Sequence, residues 1–527
     1  MFDLIIRHGK IVDGNRDSIP FVADIGIEKD EITQIGNLEN EVAKREINAR
    51  GKIVSPGFID IDNHSDVHWT LFRNPDQNSL IRQGVTTILG GNCGSSLAPI
   101  LGEGSINSLR KWISLRDVQI DWERMGGFLD FLEDNRPLKV NFGTLVGYAT
   151  LRRGLLGEDI RLLINKELGI LEREIQRSLE EGAWGLSIGL SYTHLQIVSP
   201  QEILSLAETV KQREGLFSVH LRDEKEGLLS ALKEVLEVAE KTGVNLEISH
   251  LKAIGQKAWP LFRRALELVE EARQKGLKIN FDVYPYAFSN PVIYTLLPPR
   301  LQTLNREAII EKLKNPQERQ KVIAEMKENS TNYSRVLIAS SPLSKLLAKK
   351  SLAEIAFSRE TSPEETLIDL ILASENQGSV ILKLLSEKNV SKAIQSQSSF
   401  ISSNGAGYRP EEEVEGSLIH PRSFGTFPRF LAFYVKKEKL LSLSEAIYKI
   451  TSGPAEKIGL LDRGQIKEGY KADITVLDWD NLADHSTIEK PFAYPGGIEY
   501  VVVNGKITVE QEILVEGVRS GQILRKK

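Results

Sequence analysis

The residues able to do chemistry sit where apolar runs end. "SPGFIDIDNHSD" (55–66) carries Asp62 and His64 one residue apart, just beyond an apolar stretch. "VTTILGG" leads into "NCGSS", which holds Cys93, the one cysteine of the chain. "LFSVHL" ends at His220, "NLEISH" at His250 and "SFISSN" at Asn404. Of eight histidines in the chain, three fall at these five run ends. A thiolate with imidazoles is a zinc ligand set. Two or three such ligands with one open position make a catalytic site, at which water ionises near pH 7. Taken singly, each residue has a plainer role. A histidine after a strand is usually held by structural hydrogen bonds, and a lone cysteine is usually a small buried hydrophobe. The chemical reading therefore depends on whether the fold brings these run ends together.

The elements that would do so alternate along the middle of the chain. Strand-like runs occur at 56–62, 85–91, 140–148, 183–188, 216–221, 245–250, 278–285 and 399–404. Between most of them lie helical stretches closed by glycine, such as "KELGILEREIQRSLEEG" and "LLSALKEVLEVAEKTG". Eight strand–helix alternations point to an α/β fold, a (β/α)8 TIM-type barrel. In such barrels the chemistry lies at the C-terminal strand ends, where Asp62, His64, Cys93, His220, His250 and Asn404 fall. More than 100 residues separate the last two runs; with helical patterns of their own, they read as an inserted subdomain at about 290–398.

Both chain ends read as short alternating strands with turns. Asn504-Gly505 in "VVVNGKITV" is a hairpin signal. The expected organisation is a small β-sandwich-like domain built from 1–54 and 456–527, with the barrel and its insert at 55–455.

Composition narrows the function classes. A hydrophobic fraction of 41% with 26% charged residues suits a globular protein, and a net charge of −5 favours no nucleic-acid partner. No apolar run has the roughly 18–20 residues needed to span a membrane, and the first residues lack a signal-peptide layout. A single cysteine excludes an intrachain disulfide. A cytoplasmic protein with reduced thiols is expected; nothing in the pattern specifies an oligomer.

The ordered blocks "VSPGFIDIDNHSD", "LIRQGVTTILGGNCGSSLAPI", "LVGYATLRRGLLG", "EGAWGLSIGLSY", "VHLRDE", "EISHLKAIG", "DVYPY", "HPRSFGTFPRFL" and "ITSGPAEKIGLLDRGQIKEGYKADITVLD" resemble the N-acyl-D-amino-acid deacylases (D-aminoacylases), a branch of the amidohydrolase superfamily. The resemblance covers nearly the whole chain. It implies a metal-bearing barrel with a small β domain, and zinc as the metal. It places the tightly held zinc on Cys93, His220 and His250, and His64 at a second, weaker metal position. It implies Lys252 and Tyr284, with Ser289 as a weaker match, around a substrate carboxylate. Arg222, like Lys252, lies just past a metal-strand end, where it could meet an anionic substrate.

Two positions depart from the family. The first histidine of its His-x-His motif is Asp62 here, and its catalytic aspartate is Asn404. An aspartate there takes a proton and passes it to the leaving nitrogen, a role worth about 10²–10⁴-fold; an asparagine side chain does not titrate. The first and eighth strands of a closed barrel are neighbours, so the carboxylate can have moved from one to the other, making Asp62 a ligand, a base, or both. Tyr148 also stands where relatives usually have histidine. The expected function is zinc-dependent hydrolysis of N-acyl-D-amino acids, with Asp62 and Asn404 as the catalytic positions. The alternatives are a catalytically impaired homologue that binds metal and an anionic ligand, and an altered activity such as an isomerase or lactonase.

Overall fold

A computed structural model describes the chain except residues 111, 114, 116–117, 329–330, 341–342, 344–346, 348 and 412–417. The barrel strands are short parallel runs buried on both faces, as in Val85–Gly90, where all six residues are inaccessible. Such strands read as continuous apolar stretches because helices cover the outside. Helix Asn165–Glu180 shows the matching pattern, burying Leu171, Ile175, Ser178 and Leu179 on one stripe. The Ser199 side chain accepts from Glu202 N to start helix Pro200–Gln212, and Gly243, at φ 65°, ends helix Leu228–Thr242.

The barrel ladders fall into two parallel groups. One runs Ser399–Ile401, Ile279–Val283, Asn245–Ile248, Leu216–His220, Gly185–Gly189, Val146–Gly147; the other runs Phe58–Asp60, Val85–Gly90, Asn141–Thr144. The ladders do not close into an unbroken ring. The third expected strand is split at Leu145, whose amide bonds Gly90 O at 3.0 Å. At the other seam Asn63 bridges Gly405, Asn404 N donates to Asp62 O (2.8 Å) and His64 N donates to Gly405 O (2.7 Å). The first and eighth strands thus meet one step beyond their ladders, at the residues expected to do chemistry.

A nine-stranded sheet draws on both chain ends. Ile53–Pro56 pairs in parallel with Phe2–Ile11 and antiparallel with Ile474–Leu477. Ile498–Val503 and Lys506–Glu510 form the hairpin at Asn504-Gly505, both residues in the left-handed region. Residues 293–373 hold helices such as Arg306–Lys314, Pro316–Glu328 and Pro363–Ala373, packed on a separate apolar cluster with the hairpin of Val336–Ser340 and Ser379–Leu382. Among the described residues no helix is long and apolar enough to cross a membrane.

A buried polar node ties the sheet to the barrel. Asp473 accepts from the Arg463 guanidinium, from Asn504 N (2.8 Å) and from Asn141 Nδ2 (2.8 Å) on the third barrel strand. Burial pushes the Asp473 carboxyl up, and Arg463 is the principal opposing influence. Removing one member of a buried pair strands the other charge at a cost of about 3–5 kcal/mol. Arg463→Leu is expected to lower the unfolding free energy by that amount in urea titration, and Arg463→Leu with Asp473→Asn to recover part of it.

Candidate metal centre

Three strand-end residues converge where the second, fifth and sixth strands finish. Cys93 Sγ lies 3.3 Å from His250 Nε2 and 3.6 Å from His220 Nδ1. The ligand atoms of all three lie within 4.8 Å of one another, and all three residues are buried. A tetrahedral zinc with ordinary Zn–S and Zn–N lengths puts its sulfur and nitrogen about 3.6 Å apart, so the donor set fits that ion in chemistry and in spacing. Asp62, His64 and Cys93 form a second group within the same limit.

The backbone aims these side chains. Cys93, His250 and Asn404 have φ of 53°, 38° and 44°. Left-handed backbone is rare outside glycine and clusters at functional sites. Gly91, two residues before Cys93, has φ 73°, and a Cβ there would meet Leu145 O at 2.1 Å. The sharp turn after the second strand therefore needs glycine, and it presents the thiol to the barrel axis.

The outward ring nitrogens are fixed in turn. His220 Nε2 lies 2.8 Å from Ser191 Oγ and 3.7 Å from Glu224 Oε2. His250 Nδ1 lies 2.8 Å from Lys252 Nζ and 3.3 Å from Glu224 Oε1. A carboxylate on the far nitrogen of a ligand histidine sets its orientation and basicity, and Glu224 is placed to serve both rings. It was not singled out in the sequence, although it stands four residues after His220 in "VHLRDE".

Asp62 and Asn404 share one histidine. His64 Nε2 is 2.7 Å from Asn404 Oδ1 and 3.5 Å from Asp62 Oδ1. Both Asp62 oxygens and His64 Nδ1 are buried without a hydrogen-bond partner. Orphaned atoms of this kind are what a metal, a water or a substrate would satisfy. Burial, then the nearby Asp282 and Asp60 carboxyls, pushes Asp62 well above the usual range, and burial pulls His64 well below its own. Burial also raises Asp282 to about 7 and Asp60 to about 6.

The expected substrate contacts divide. Lys252 is paired with Glu224, and the buried Tyr284 hydroxyl and Ser289 Oγ have no partner. Ser289 is set by backbone pairing with Leu382. Arg222 is not brought into the cluster. Its guanidinium grips both oxygens of Glu234 (3.0 and 2.8 Å) and the carbonyls of Gln196 and Val198, tying a loop to helix Leu228–Thr242. Sequence reasoning passed over Arg422, in "HPRSFGTFPRFL". Its guanidinium lies 4.9 Å over the Tyr284 ring, Nε has no partner, and its charge acts on Asp62, His64 and His250. Tyr148 faces away from the ligands and donates to Glu202 (2.6 Å).

A model described as the Amidohydrolase family matches residues 45–326 and 419–509. The chain is 30% identical to a D-aminoacylase of Alcaligenes xylosoxydans xylosoxydans over 526 residues, 99% of this chain and 97% of that protein. It is 30% identical to an N-acyl-D-glutamate deacylase of the same organism, over 99% and 96% of the two chains. The crystal structure of an N-acyl-D-glutamate deacylase from Bordetella bronchiseptica, complexed with zinc and a phosphonate mimic of the tetrahedral intermediate, superposes with a TM-score of 0.84 at 27% identity, covering all of both chains.

The buried acids make a pH test. Asp66, two residues past His64, accepts from Gly91 N (2.7 Å), and burial raises it to about 7 from 3.8. The native state then holds a proton that the unfolded chain releases, so stability falls as pH rises between about 4 and 7. Each such group contributes a slope of about 1.4 kcal/mol per pH unit. In the metal-free protein, Asp66→Asn is expected to shallow the loss of stability by one such slope, read by denaturant titration from pH 4 to 7.

Proposed function

Because the chain belongs to the amidohydrolase family, we propose that it is a zinc-dependent hydrolase of N-acyl-D-amino acids, releasing a carboxylate and a D-amino acid. The observation that carries this is the Cys93–His220–His250 triad, in which side chains at the ends of the second, fifth and sixth strands are presented at matched spacing around one point. These three residues would hold the zinc. Bound there, the ion supplies Lewis acidity at the scissile carbonyl and lowers the pKa of water.

The chain's own groups do the rest. Glu224 and Ser191 hold the two imidazoles in orientation. Arg422 Nε and the Tyr284 hydroxyl offer unpartnered donors for the substrate carboxylate, and Lys252 is held by Glu224. Proton transfer to the leaving nitrogen needs a carboxyl group, because an amide nitrogen leaves poorly unless protonated. Asn404 cannot supply it, and Asp62 can. Asp62 is bare on both oxygens, lies beside the His64 that Asn404 also contacts, and is held well above the usual carboxylate range by burial. Asn404 keeps the His64 ring in register through its Oδ1. Against the reading of a silent binding homologue stands Asp62, a buried carboxyl with both oxygens unpartnered beside His64. The barrel of 55–455, its insert at about 290–398 and the terminal segments are proposed as the three working parts of this enzyme.

The test is a zinc assay and a panel of N-acetyl-D-amino acids on one preparation. Wild type is expected to turn over with about one zinc per chain. Cys93→Ser is expected to lose both zinc and activity, and Asp62→Asn to retain zinc while kcat falls about 10²–10⁴-fold. An inactive wild type beside an active Asp62→His, Asn404→Asp double variant would instead show that the carboxylate has not moved.

A further inference from the structure

A second polar cleft opens beside the metal centre. Its walls include Arg153, Glu158, Tyr192, His194, Tyr294 and Asn376. Tyr192 belongs to both sites, since its ring also packs against His220 with centroids 5.1 Å apart. Among the lining residues is His194, 2% exposed, with neither ring nitrogen hydrogen-bonded. The nearest carboxylate oxygen, on Glu158, is 3.6 Å from its Nε2, too far for a hydrogen bond. Asn376 Oδ1, also in the cleft wall, is likewise buried without a partner.

The loop carrying His194 is held rigidly. The wholly buried Arg152 donates from Nη1 to His194 O (3.0 Å) and from Nη2 to Arg161 O, while its Nε faces Glu202. Tyr148 completes that node through Glu202. The departure at Tyr148 thus acts here, outside the metal cluster. A buried polar group left bare in a rigid wall costs stability unless a ligand satisfies it.

The chemistry on offer is that of an amide. Burial pulls His194 below its ordinary range, and a neutral imidazole presents one donor and one acceptor. Glu158 is neutralised by two 2.8 Å contacts from Arg153, with Asn107 alongside, and Arg306 is paired with Glu375. A cleft of paired charges and bare neutral groups suits a neutral hydrogen-bonding ligand better than an ion.

Position indicates which part of a substrate reaches it. Lys252 and Tyr284, the carboxylate-side groups, follow the sixth and seventh strands, whereas the cleft follows the third and fourth. His220, on the fifth strand, lies between them. A substrate with its carboxylate on one side and its scissile amide at the ligand triad directs its acyl chain toward Tyr192. Resting on the function proposed above, we infer that this cleft is an acyl subsite for an amide-bearing acyl chain, so that the preferred substrates are N-(acylaminoacyl)-D-amino acids.

The experiment compares N-acetyl, N-hexanoyl and N-acetylglycyl derivatives of one D-amino acid on the zinc-loaded protein. Wild type should favour the acetylglycyl compound over the hexanoyl by at least tenfold in kcat/KM. His194→Phe, and separately Asn376→Gly, which tolerates the φ of 59° there, should each lower kcat/KM for the acetylglycyl compound at least tenfold and for the acetyl compound less than threefold. Equal losses on both, or a preference that survives both variants, overturns the inference. Calorimetric binding of N-acetylglycinamide is measured alongside. Saturable binding weakened at least tenfold by either variant, and unchanged in Cys93→Ser, supports the cleft even if no derivative is hydrolysed, in which case only the proposed activity falls. Absence of saturable binding to wild type overturns the cleft assignment whatever the turnover.

Discussion

Left-handed backbone at three non-glycine residues is the constraint on which the site depends. Cys93, His250 and Asn404 each follow a parallel strand and each turn inward through a positive φ. An ordinary continuation would carry these side chains along the strand direction. Left-handed conformation costs an L-residue about 1–2 kcal/mol, so neighbouring bonds must hold it. Asn92 Nδ2 donates to Ile61 O and Leu89 O beside Cys93, Leu251 N donates to Asp282 O beside His250, and Asn404 N donates to Asp62 O. The strain is held where a thiolate and imidazoles must meet, which is the pattern expected when geometry serves chemistry.

The strand ends were legible in the sequence because they combine an apolar run with a polar terminus, a pattern set by burial alone. That is why Cys93, His220, His250, His64 and Asp62 could be named before any coordinates. Glu224 and Arg422 were not, because their importance lies in what they face across the barrel mouth rather than in local spacing. Arg222 shows the converse. Its position after His220 suggested a rim charge, yet Glu234, one helix further on, captures it. The sequence pattern runs unbroken through 140–148, whereas the ladder breaks at Leu145, which the turn at Gly91 approaches closely. Periodicity cannot report such a break, because both halves are equally apolar.

The Asp62 and Asn404 exchange reads as one local electrostatic arrangement. Asp60, Asp62, Asp66 and Asp282 are all buried near the ligand triad and all raised by that burial. Arg422 and Lys252 are the cations that oppose the rise at Asp62. A neutral Asn404 at the eighth strand adds no further negative charge to this crowded region, while its Oδ1 still steers His64. The carboxyl on the first strand remains the one that is bare and shared with that histidine.

One cysteine and two histidines are proposed to hold a zinc at the barrel mouth. Zinc-edge X-ray absorption on protein loaded with one equivalent tests it most directly. The expected coordination is one sulfur at about 2.3 Å and nitrogen or oxygen neighbours at about 2.0–2.1 Å, with imidazole outer-shell scattering from two rings. A shell of nitrogen and oxygen alone, without sulfur, would contradict it.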